Sequence, residues 1–67
     1  MNARIISFKD KVELEADYNE ALRQQLRQQT TAYWLPGRGR WQLKRWEVGK
    51  VRMILEELGY TINETLG

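Results

Sequence analysis

The chain has 67 residues, a formal net charge of +2, and neither cysteine nor histidine. This inventory excludes disulfides, zinc sites of the usual type and every mechanism that needs a thiol or an imidazole. The length leaves room for a single small domain, residues 1–67, which needs either a good core or a second subunit for its stability. A homodimer is therefore one of the expectations.

Two further classes of protein are disfavoured by the sequence. No apolar run approaches the ~20 residues of a membrane span, and the chain does not begin with a signal-peptide pattern, so we expect a cytoplasmic protein without a membrane partner. Catalysis would have to rely on carboxylates, hydroxyls or lysines, and no nucleotide-binding glycine pattern is present. We therefore expect no enzyme activity, no cofactor and no metal.

The positive charge is concentrated in the middle of the chain. Residues 1–29 carry five basic and five acidic side chains, whereas residues 30–52 carry six basic residues against Glu47 alone, a balance of +5. Residues 53–67 contribute three acidic residues, a balance of −3. Such asymmetry indicates an anionic partner.

The first predicted elements are a strand at residues 3–8 and a long helix. Ser7 and Asp10 match the Ser/Thr-x-x-Asp/Glu pattern that begins many helices. A helix from about Phe8 to Gln28 is then predicted, because one face collects the apolar residues Phe8, Val12, Tyr18, Leu22 and Leu26.

Four acidic residues would share the opposite face of this helix, namely Asp10, Glu13, Asp17 and Glu20. Carboxylates in such a row suit a hard metal ion, but charged side chains on a helix are usually solvated. No second set of ligands lies near them in the sequence. We therefore interpret them as an exposed helix face and not as a metal site.

A β-hairpin is predicted next. β-branched and aromatic residues dominate residues 30–35, which favours a strand. Pro36 and Gly37 fit the two central positions of a type II turn, and residues 40–45 return as the second strand.

The hairpin predicts its own register. If Leu35 faces Arg40, then Trp34 lies opposite Trp41, and the two indoles pair and pack inward. The alternative is one long helix from Trp41 to Leu58, which would make the protein an all-α helical hairpin.

A helix is predicted from Glu47, and Gly59 fits the left-handed position that ends it. A last short strand at residues 60–62 would lie beside the first strand. The fold class is therefore a small single α+β domain in β-α-β-β-α-β order, with a central basic β-hairpin and two amphipathic helices, an order found in ferredoxin-like sheets. The prediction of this second helix depends on Val48, Val51, Leu55 and Leu58, which follow one another at spacings of three, four and three residues.

The segment from Trp34 to Trp46 carries the functional hypothesis. It holds three tryptophans, three arginines and one lysine. Cations contact phosphate, and aromatic rings stack on bases, so we expect a small regulatory protein that binds nucleic acid, DNA in the first place. The central Arg-Gly-Arg resembles the middle of an AT-hook, without the flanking prolines. The candidate binding residues are Tyr33, Arg38, Arg40, Lys44, Arg45, Lys50 and Arg52.

A protein partner is the alternative. Trp, Tyr and Arg are also enriched at the hot spots of protein interfaces, and an acidic protein surface would attract the same patch. In that case the chain would act as an inhibitor or adaptor of the kind that phages and mobile elements encode.

Overall fold

All 67 residues are described by the structure, a computed structural model. Five strands and two α-helices make up the fold, and a short 3₁₀ helix at Arg45–Glu47 leads into the second helix. In chain order the elements are β1 (Asn2–Ser7), β2 (Val12–Ala16), α1 (Glu20–Gln29), β3 (Tyr33–Leu35), β4 (Arg40–Leu43), α2 (Val48–Glu57) and β5 (Thr61–Leu66).

The strands form one mixed sheet in the order β3-β4-β2-β1-β5. The pairs β1–β2, β2–β4 and β3–β4 are antiparallel, and β5 runs parallel to β1. The predicted α+β class is confirmed, the predicted element order holds apart from one added strand, and the all-α alternative is not supported. The added strand, β2, makes the sheet wider than the predicted four strands.

The prediction of one long helix from Phe8 to Gln28 was wrong in its first half. Residues 12–16 form β2, and residues 8–11 form the tight turn of a β1–β2 hairpin, closed by a bond from Phe8 N to Lys11 O of 2.8 Å. Val12, Leu14 and Ala16 alternate with two glutamates, which is the period of a strand with one apolar face. Helical and strand periods both fit so short a stretch, and pairing with β1 and β4 decides in favour of the strand.

The helix α1 therefore begins twelve residues later than predicted, at Glu20 and not at Phe8. Its start is fixed by Asn19, whose side-chain oxygen accepts hydrogen bonds from the backbone N–H groups of Ala21 and Leu22. An asparagine in this position satisfies donors that would otherwise lack a partner in the first turn.

The predicted hairpin is confirmed. Trp34 lies opposite Trp41 and Leu35 opposite Arg40, as the register requires. Gly37 has a φ of 83°, and Arg38 N donates to Leu35 O at 3.2 Å, which is the geometry of a type II turn.

The second helix and the last strand also follow the prediction. Gly59 ends α2 with a φ of 85°, a backbone conformation that residues with a Cβ rarely adopt. Tyr60 N then donates to Leu55 O at 3.0 Å, and β5 extends beyond the predicted residues 60–62 to Leu66.

Both helices cover the same face of the sheet. The core between them contains eleven buried residues, which include Ile5 and Leu14 from the sheet, Leu26 from α1 and Leu55 from α2. The opposite face carries no helix and presents the side chains of Arg4, Glu13 and Glu15, among others, as the alternation along β1 and β2 dictates. Neither helix has the length and apolar character needed to cross a membrane.

Candidate nucleic-acid interface

Charged side chains form a connected network across the helix-free face. Arg4 and Arg40 reach Glu15 at 2.6 and 3.4 Å. Arg38 and Arg40 reach Oε1 of Glu13 at 3.0 and 3.1 Å. The two hairpin arginines are thus drawn onto the sheet by carboxylates of β2, which reduces the charge that they offer to a partner.

Glu13 lies at the centre of this network and is fully buried. Lys11 Nζ lies 3.3 Å from its Oε2 without the geometry of a hydrogen bond, so Oε2 has no hydrogen-bond partner. Burial raises the pKa of the Glu13 carboxyl, but the arginines and Lys11 outweigh it, and the net pKa is lower than usual. The interpretation of Glu13 as part of an exposed helix face was therefore wrong, because Glu13 lies on a strand and two of the cations that cover it come from a distant hairpin.

Arg52 takes no part in this network. It extends from α2 and forms a two-bond ion pair with Glu64 of β5, at 2.8 and 2.9 Å. Together with Arg38 and Arg40, it is a candidate cation that is already paired with a carboxylate.

The remaining candidate cations meet at one end of the sheet. Arg45 Nη2 donates to Phe8 O at 2.6 Å, which places the 3₁₀ helix beside the β1–β2 turn and its exposed Lys9. Lys50 Nζ donates to Gln29 O at 3.2 Å and so joins the start of α2 to the end of α1. We call this surface, formed by Lys9, Lys44, Arg45, Trp46 and Lys50, the basic end.

None of the four cations of the basic end forms an ion pair with a carboxylate. Two acidic residues lie in the same segments, Asp10 and Glu47. The Glu47 carboxylate is occupied, since it accepts hydrogen bonds from Thr31 N at 2.8 Å and Thr31 Oγ1 at 2.9 Å. Burial raises the pKa of the Glu47 carboxyl, but the bonds from Thr31, the backbone bond from Lys44 N and the nearby Lys44 charge together outweigh it, so the net pKa is lower than usual.

Trp46 is the most exposed tryptophan, with 80% of its surface accessible. Lys44 Nζ lies 5.6 Å from the centre of its ring, close enough for a cation–π contact. An indole this exposed contributes little to the core. Our list of candidate residues omitted Trp46, although its place between Arg45 and Glu47, just before a helix, is visible in the sequence.

A second surface lies between α1 and the edge strand β3. It is a groove of about 550 Å³, and the predicted residue Tyr33 is one of its walls. Trp34 and Trp41 pair edge to face there, with ring centres 5.6 Å apart. The prediction that both pack inward holds only in part, because Trp41 packs against the core while Trp34 is 49% exposed.

Sequence reasoning missed the α1 side of this groove, namely Tyr18, Arg23 and Arg27. Arg23 and Arg27 lie one turn apart on α1, as they already would in the predicted helix. Only the packing of α1 beside β3 brings them into one groove with Tyr33 and Trp34.

Comparison with protein-family models, curated proteins and solved structures finds no match to this chain. The fold and its surfaces therefore define the protein only as a small α+β domain with a basic end and an aromatic groove.

Proposed function

We propose that this protein binds nucleic acid through its basic end. The observation that carries the proposal is Trp46, an indole exposed to solvent beside Lys44 and Arg45, neither of which has a carboxylate partner. Lysine and arginine contact phosphates and release counterions, while an exposed indole stacks on a base. DNA is the first ligand to test, and the proposed role is regulatory and not catalytic.

The hairpin arginines take a secondary part in this proposal. Arg38 is half exposed and Arg40 less so, and both are held by Glu13. Contact with phosphate would require them to exchange a carboxylate partner for a phosphate, which reduces the gain.

A protein partner is the second candidate function, and one observation favours it. Met53 of α2 is 61% exposed and follows the exposed Trp46 by seven residues, so this part of the chain presents two large apolar side chains to solvent. A partner with an acidic, partly apolar surface fits these two side chains and the cations of the basic end.

The test is a titration of labelled DNA, in single-stranded and duplex form, followed by fluorescence anisotropy at several salt concentrations. For duplex DNA, the logarithm of the binding constant falls linearly with the logarithm of the salt concentration, and each phosphate contact contributes about 0.9 to the slope. The triple variant Lys44→Gln/Arg45→Gln/Lys50→Gln should therefore reduce the magnitude of this slope by about 2.7. Trp46→Ala should weaken binding of the single-stranded DNA about ten-fold through lost stacking.

The matched control is Arg4→Gln/Arg52→Gln, which removes two cations that are already paired with carboxylates. Its salt slope should stay close to that of the unchanged protein. The same loss of slope per removed charge in the control and in the triple variant would point to net charge alone, and the basic end would then not be the site. If the unchanged protein binds no oligonucleotide at low salt, the proposal fails and the protein-partner alternative is tested next.

A further inference from the structure

The groove between α1 and β3 has the size and lining of a ligand site. Its volume of about 550 Å³ falls within the range of roughly 300–1,000 Å³ that small-molecule sites occupy. Four aromatic rings and two arginines line it, together with small and apolar residues. Those six residues are Tyr18, Arg23, Arg27, Tyr33, Trp34 and Trp41.

The aromatic rings of the groove are available for stacking. An edge-to-face pair covers at most one face of each indole, and half of the Trp34 surface is open to solvent. Tyr18 is 79% exposed and is oriented by its hydroxyl, which donates to Glu20 Oε1 at 3.1 Å. Since Tyr18 contributes nothing to the core, its ring is free to contact a ligand.

The charge of the groove favours an anionic ligand. Arg27 has no carboxylate partner, and Arg23 forms an exposed pair with Glu20 at 3.3 Å. Asp17 is the one carboxylate in the lining, and its Oδ2 accepts a hydrogen bond from Asn2 N at 2.7 Å. Arg27 is therefore the side chain placed to hold a phosphate beside the aromatic rings.

We infer that this groove receives unpaired bases of a nucleic-acid strand, with Trp34 and Tyr18 stacking on a base and Arg27 holding the adjacent phosphate. The inference rests on the proposed function and deepens it, because it makes single-stranded nucleic acid the preferred ligand. The groove also lies near the basic end: Arg27 belongs to the last turn of α1, and Lys50 donates to Gln29 at the end of that helix.

A peptide strand is a poorer occupant of the groove. Peptides commonly bind at a sheet edge by adding a strand, and β3 is the edge here. However, β3 is only three residues long and Pro36 follows it directly, so it offers few backbone groups for pairing. Stacking on side chains needs no such edge.

The test uses the three indole N–H groups, each of which gives one NMR signal. On titration with oligo(dT), the signals of Trp34 and Trp46 should both shift if the groove and the basic end bind the strand. On titration with a blunt duplex, only the Trp46 signal should shift. The Trp46 signal thus reports on the basic end and the Trp34 signal on the groove, so the two proposals are tested separately.

Affinity measurements supply the second readout. Tyr18→Ala/Arg27→Gln should weaken oligo(dT) binding about ten-fold and leave duplex binding within two-fold, because stacking contributes only with unpaired bases. The control is Arg4→Gln, which removes an arginine that belongs to neither the groove nor the basic end. Circular dichroism checks that each variant keeps its fold.

Three results would overturn the inference that the groove binds unpaired bases. If oligo(dT) shifts Trp46 but not Trp34, the proposed function stands and the groove inference is overturned. If Tyr18→Ala/Arg27→Gln weakens single-strand and duplex binding equally, or weakens neither, the groove is likewise not a site for unpaired bases. If an acidic peptide shifts Trp34 and oligo(dT) does not, the groove belongs to a protein partner.

Discussion

The buried Glu13 offers the sharpest test of how this fold is stabilised. In Glu13→Gln the carboxylate becomes neutral with little change of shape. Arg38 and Arg40 then lose charge-assisted hydrogen bonds of 3.0 and 3.1 Å, and Lys11 loses its counterion. A hydrogen bond to a charged group contributes about 1.5–3 kcal/mol to stability.

The expected loss is smaller than the sum of two such bonds. Arg38 is half exposed and recovers solvation, Arg40 keeps Glu15, and the glutamine oxygen still accepts one bond. We expect the free energy of unfolding to fall by about 2–3 kcal/mol, compared with about 3–5 kcal/mol when a fully buried pair is broken. With a urea m-value of about 1 kcal/mol/M, the midpoint falls by roughly 2–3 M.

The assay is urea unfolding followed by tryptophan fluorescence. Glu15→Gln is the matched control, because its side chain is 41% exposed and the loss of its charge should cost under about 1 kcal/mol. If Glu13→Gln is no less stable than Glu15→Gln, the buried carboxylate does not hold the hairpin arginines, and the network is only a surface feature.

Three further predictions follow from contacts between distant segments. Glu47→Ala should lower the free energy of unfolding by about 1–2 kcal/mol, measured by urea unfolding, because Thr31 loses two hydrogen bonds; Glu57→Ala, an exposed change on α2, should have almost no effect. Tyr60→Phe should cost about 1 kcal/mol in the same assay, because the hydroxyl of this buried side chain donates to Asp17 O at 2.7 Å. Stability should be nearly constant from about pH 5.5 to pH 8 and fall as the pH drops toward 2, because the folded-state pKa values of Glu13 and Glu47 lie below their unfolded values. A thermal melt series that stays flat down to pH 2 would contradict that linkage.

Local signals in the sequence predicted the second half of the fold well. The turn at Pro36 and Gly37, the register of Trp34 with Trp41 and the end of α2 at Gly59 each depend on neighbouring residues only. The same reasoning failed for β2, where the pattern was ambiguous and the deciding interactions are non-local.

Glu13 of β2 illustrates why local reasoning failed there. Glu13 resembles any solvated acid until the hairpin, twenty-five residues further along, places Arg38 on it. A buried carboxylate without cations would be too costly, so the strand and the hairpin arginines stabilise each other. No local pattern encodes that dependence.

The same non-local pairing changes where the positive charge lies. Residues 30–52 carry six cations, but Arg38, Arg40 and Arg52 are paired with glutamates from outside that segment. Lys44, Arg45 and Lys50 keep their charge, and Lys9 joins them from the β1–β2 turn. The surface that attracts an anion is therefore a different set of residues from the one that the linear charge count selects. Its aromatic contact is Trp46, because Trp41 packs against the core.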